Sequence, residues 1–173
     1  MMTDDKQEQY NNLDEMIFQM ERHRNDKEYY EVSLVETRLH SKRGRRYQVE
    51  RFSTPEKAAV LGAKLLPRYL DREYVYVVGL TSKMEPISIQ LMSIGSMNSA
   101  VLDPARILSY LLITGAQSFV IFHNHISGDV TPSSQDVVST KRIRDAANLV
   151  GLNLADHIII GEGFCSMKEE DYI

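Results

Sequence analysis

The strongest constraint on this chain's fold is a change of hydrophobic period at one point. Ser118-Phe119-Val120-Ile121-Phe122 is short, apolar and rich in β-branched and aromatic side chains, which is how a buried strand reads. It runs directly into His123-Asn124-His125, and after the Gly128-Asp129 turn Ser133 opens a long helical pattern. The junction gathers two histidines, a serine and a carboxylate within the fourteen positions from His123 to Asp136. A strand that gives way to a helix this quickly needs a sheet on one side and helices on the other.

The flanking segments supply both. Asp103-Pro104 reads as a cap followed by proline in the first turn, so 104–114 is expected to be helical and to close at Gly115. The helix from Ser133 should run to about Leu149, with Gly151 as its C-terminal stop. Ser53-Thr54-Pro55-Glu56 starts another helix, either from a Thr54 cap with Pro55 in the first turn or through the capping-box spacing of Ser53 and Glu56. The apolar runs 74–80 and 87–94 are tightly joined and therefore predicted antiparallel, and 152–161 and 164–167 read as further strands. Helices alternating with strands predict an α/β fold with helices on the faces of a mixed β-sheet.

Two segments precede this body. In residues 4–25, Leu13, Met16, Ile17 and Met20 share one helical face, so 1–28 is expected to be an amphipathic helical arm. Its stripe packs on the body of this chain or on a partner, a second copy included. Residues 29–52 alternate with period two around Gly44 and read as a β-hairpin that opens the 29–173 domain. The hairpin tip carries Lys42, Arg43, Arg45 and Arg46, with Arg51 nearby: a solvated turn in the plain reading, a contact for phosphate or an acidic partner in the sharper one.

At 173 residues and 43% hydrophobic content the chain can bury one sizeable core. A net charge of −4 argues against a protein whose main work is coating nucleic acid. The single Cys165 excludes an intrachain disulfide and a cysteine-rich zinc knuckle, and it fits a reducing compartment. No stretch is long and apolar enough to span a bilayer, and the N-terminus lacks signal-peptide regions, so a cytoplasmic protein without a membrane partner is expected.

The chemistry then narrows. Residues two apart on an extended segment point the same way, so His123 and His125 can aim both imidazoles at one point. Ser133 and Asp136, three apart at a helix start, share one face. Two imidazoles and a carboxylate are the ligand set of a catalytic zinc with its fourth position left to water, and zinc brings that water's pKa to about 7. His123, His125 and Asp136 are the expected ligands of Zn2+. Ser133 and Asp136 also have capping-box spacing, which alone would explain both; capping gives no reason, however, for His-x-His at the end of a buried strand.

The His-x-His, seven-residue gap, Ser-x-x-Asp arrangement resembles the JAMM metalloprotease motif of the JAB/MPN superfamily. The string His-Asn-His-x-Ser-Gly-Asp with Thr-Pro-Ser is similar to the RadC family within it, as are Arg72-Glu73 before a strand, Gly95-Ser96 with Pro104 beyond, and Asp156-His157-Ile158-Ile159-Ile160-Gly161. The likeness covers about 53–167; Ile126 stands where the family usually has proline, and Ala105-Arg106 where it has Arg-Glu. The resemblance implies a cytidine-deaminase-like fold and a hydrolase that cuts a peptide or isopeptide bond with a zinc-activated water. It further implies that Glu73 shuttles the proton and that Ser133 hydrogen-bonds the developing oxyanion, with Glu85 as the weaker candidate for the shuttle. His157 reads as a satisfied structural residue or, second, as a support for the ligands, and Asp129 as a turn former.

Two other functions follow from the same resemblance. The RadC label implies a DNA-repair role, with nucleic acid held by the hairpin at Lys42 to Arg46, and the fold can also serve as a metal-free scaffold. An HNH nuclease is excluded because His-Asn-His here is consecutive at a strand end. Cytidine deamination is excluded because it needs a Pro-Cys-x-x-Cys that a chain with one cysteine lacks.

Overall fold

In the computed structural model the described residues are 47–66, 72–95 and 102–173. The N-terminal arm, the first limb and basic tip of the hairpin, and the loop at 96–101 lie outside them. Within the described residues, β1 (Tyr74–Leu80) and β2 (Pro86–Ile94) pair antiparallel, as their short connection requires. On the other side of β1 lies β3 (Ser118–Asn124), also antiparallel. Parallel to β3 runs β4 (Asn153–Gly161), and β5 (Gly163–Ser166) turns back along it, giving the order β2-β1-β3-β4-β5.

Among the described residues three helices flank this mixed sheet: α1 (Pro55–Leu65), α2 (Pro104–Thr114) and α3 (Ser134–Leu149). The alternation of side chains along β3 divides the core. Val120 and Phe122 join α1 residues Ala58, Leu61 and Leu65 on one face, while Phe119 and Ile121 join Ile107, Leu111, Ile143 and Ala147 of α2 and α3 on the other. Every residue of β3 is buried, which accounts for its unbroken apolar run. The parallel β3–β4 pair needs a crossover, and α3 provides it. The architecture is therefore the α/β mixed sheet with flanking helices that the periodicity predicts.

The caps hold in part. The Asp103 side chain accepts from the Ala105 N–H, and Gly115 closes α2 at φ 70°. Thr54 takes the N-cap position of α1 without a side-chain cap bond, and with Thr54 there the Ser53–Glu56 box loses its register. Residues 47–52 differ from the expected hairpin limb. Tyr47, Val49 and Phe52 lie on the α1-side core, but no strand forms there.

Candidate metal centre

The sheet delivers the histidines. His123 lies within β3 on the α3 side, like Phe119 and Ile121, and His125 follows two residues on, so both rings turn toward the start of α3. Their Nε2 atoms are 3.0 Å apart. Asp136 brings Oδ1 to 3.4 Å from His123 Nε2 and Oδ2 to 3.2 Å from His125 Nε2. Ligand-type atoms of the three residues all fall within 4.8 Å of one another.

The helix delivers the carboxylate. Ser133 is the N-cap of α3: its Oγ accepts from the Asp136 N–H at 3.1 Å, and Asp136 Oδ2 accepts from the Ser133 N–H at 2.7 Å and the Ser133 hydroxyl at 2.6 Å. The capping box is formed. Cap and site are thus one device, because the bonds that start the helix also aim the carboxylate at the histidines.

The hydrogen bonds of this cluster leave one buried acceptor unmet. The His125 Nδ1 lies 2.8 Å from the Asp129 carbonyl, which can only accept, so Nδ1 carries a hydrogen, and in the neutral imidazole that binds a metal Nε2 keeps the lone pair. Burial holds the His123 pKa down to about 4 against the pull of Asp136, with His125 adding to the depression, so at neutral pH this ring is uncharged. Asp136 Oδ1 is buried without a hydrogen-bond partner. A buried carboxylate with one oxygen lacking a hydrogen bond, set against two imidazole nitrogens, fits a metal ion, and this donor set leaves a tetrahedral ion one open position.

Glu73 reaches the same place through the β1–β3 register. Val75 pairs with His123 at the end of the ladder, and just beyond it Glu73 and His125 both line one cleft. The cleft, of about 440 Å³, is lined by Glu73, His125, Ser133 and Asp136, with Ile126 and Asp129 among its other walls. Glu85 lies in the β1–β2 turn at the opposite end of β1, where its carboxylate accepts from the Thr81 hydroxyl, and it does not enter the site.

Three residues outside the motif complete the surroundings. Asn124, between the two histidines and fully buried, donates to the Arg72 carbonyl at 3.1 Å and accepts from the Tyr74 N–H at 2.9 Å, so its amide spans Glu73. His157 on β4 places Nε2 2.7 Å from His123 Nδ1, and Thr140 on α3 places its hydroxyl 2.7 Å from His157 Nδ1. His157 is thus buried with both ring nitrogens partnered, as expected of a satisfied structural residue, and one of those partners is His123. Thr140 was legible in principle as the residue one turn after Asp136 on the same face. Asn124 gave one signal, an amide at the end of a fully buried strand.

The loop after the histidines is fastened to the end of β4. Gly128 N–H donates to the His125 carbonyl, and the Gly128 carbonyl accepts from Glu162 N–H at 3.0 Å. A Cβ on Gly161 would lie 2.1 Å from that carbonyl oxygen, so the approach requires glycine. Asp129 is the expected turn former, its carboxylate accepting from Thr131 N–H.

Among known proteins, the family model for a RadC-like JAB domain matches residues 52–172. A UPF0758 protein of Caldanaerobacter subterraneus is 42% identical over 106 residues, 61% of this chain and 46% of that protein. Another, from Clostridium tetani, is 38% identical over 133 residues, 76% of this chain and 57% of that one. A third, from Listeria monocytogenes, is 40% identical over 105 residues, 60% and 47% of the two. The chain spans about half the length of these curated relatives.

Proposed function

We propose, from the premise that this chain belongs to the family of RadC-like JAB domains, that it is a zinc-dependent hydrolase that cleaves a peptide or isopeptide bond. The observation that carries this reading is the buried Asp136 carboxylate, whose Oδ1 has no hydrogen-bond partner and lies 3.4 Å from His123 Nε2 while Oδ2 lies 3.2 Å from His125 Nε2. His123 Nε2, His125 Nε2 and Asp136 would hold the ion. A bound zinc supplies a Lewis acid and brings the pKa of water to about 7.

The chain's own groups do the rest. The cleft holds the scissile carbonyl between Glu73 and Ser133. Glu73 takes a proton from the attacking water as the carbon–oxygen bond forms, then gives it to the amine as the carbon–nitrogen bond breaks. Ser133 turns its hydroxyl from Asp136 Oδ2 to the carbonyl oxygen as negative charge develops there, and the N-terminus of α3 favours that charge.

Glu73→Gln keeps the shape and removes the base. Against a quenched-fluorescence peptide library, the zinc-loaded variant is expected to keep its metal and lose hydrolysis by roughly 100-fold or more. Wild-type rates in the variant, or loss of its zinc, contradict the assignment.

A further inference from the structure

Behind His123 runs a chain of hydrogen bonds that the hydrolytic scheme does not use. His123 Nδ1 meets His157 Nε2 at 2.7 Å, His157 Nδ1 meets Thr140 Oγ1 at 2.7 Å, and the Thr140 hydroxyl donates to the Asp136 carbonyl at 2.5 Å. All four residues are fully buried, so water does not replace any link.

The polarity of this chain is decided at its far end. A carbonyl oxygen can only accept. On a helix a threonine hydroxyl commonly donates to the carbonyl four residues back, and Thr140 and Asp136 have that spacing. The one hydroxyl hydrogen is then spent, so Thr140 Oγ1 accepts from His157 Nδ1–H. His157 Nε2 is left with a lone pair and accepts from His123 Nδ1–H. His123 Nε2 is left bare, aimed at Asp136 and His125. The opposite polarity would put a hydrogen on His123 Nε2, in the place of the ion.

We infer that Thr140 and His157 are positioning residues that fix the tautomer of His123, so that its Nε2 is presented to the metal as a lone pair. The inference rests on the metal-site reading of the proposed function. It makes α3 responsible for both ends of the arrangement: Asp136 offers its carboxylate to the ion and its carbonyl to the relay.

The test combines histidine ring 15N NMR of the zinc-loaded wild-type chain with zinc affinities measured against a chromophoric chelator. His157 is expected as the Nδ1–H tautomer. Thr140→Val, which keeps the shape and removes the hydroxyl, should weaken zinc binding by roughly 10- to 100-fold, and Thr140→Ser should restore it. Thermal unfolding of the metal-free chains separates this loss from a general loss of stability. If Thr140→Val does not fold, the wild-type spectrum decides alone. His157 with hydrogen on Nε2 in the zinc-loaded protein, or wild-type affinity in folded Thr140→Val, overturns the relay and leaves the metal site standing. A wild-type chain that takes up no zinc overturns the metal site itself.

Discussion

Asn124 shows what single residues contribute that the motif does not announce. The two histidines and Asp136 are legible because their side chains are metal ligands and their spacing sends them to one point. Asn124 was not legible, because its partners Arg72 and Tyr74 are fifty or more residues earlier and meet it only once β1 lies beside β3. His157 was singled out in the sequence, but its contact with His123 depends on the β3–β4 register. Asn124→Ala removes both bonds that hold the backbone on either side of Glu73. Losing buried polar partners costs about 1–3 kcal/mol, so denaturant unfolding should register a loss of that size. Zinc binding should survive while hydrolysis falls, because Glu73 loses its seat and the ligands do not. A variant as stable as the wild type would mean that the clamp is idle.

Among the elements, the helices and strands were readable from period and caps, and the departures have local causes. Thr54 stands at the right position, yet its hydroxyl makes no cap bond, and Pro55 and Glu56 fill the first turn of α1. Residues 47–52 turn Tyr47, Val49 and Phe52 to the α1 side of the core without forming a strand. What no period could reveal is the seam between the His125–Val130 loop and the end of β4. Gly161→Ala would drive a methyl group into the Gly128 carbonyl, and backbone yields less readily than a side chain. A loss of about 1–3 kcal/mol is expected from such overpacking. Zinc affinity should drop with it, because the displaced loop carries the carbonyl that orients His125. Gly62→Ala is the matched control: its Cβ meets the Phe122 ring at 2.7 Å, away from the ligands, so it should cost stability and spare the metal. Equal zinc affinity in both variants would contradict this.

For the whole molecule, the mixed sheet with helices on both faces followed from the order of the segments, but the strand order β2-β1-β3-β4-β5 did not. That order makes the site. Antiparallel β1 brings Glu73 into the cleft that His125 lines, parallel β4 sets His157 behind His123, and the crossover α3 returns Asp136 to the strand end it left. Among the described residues no helix is long and apolar enough to cross a membrane. The central claim is that this convergence binds zinc. Its most direct test is elemental analysis of the purified chain after zinc reconstitution and desalting, beside His125→Ala and Asp136→Ala. His125 is partly exposed, so its variant should fold and report on the metal alone. Stoichiometric zinc in the wild type and its loss in both variants is the expected result; a correctly folded wild-type chain that retains no zinc would contradict it.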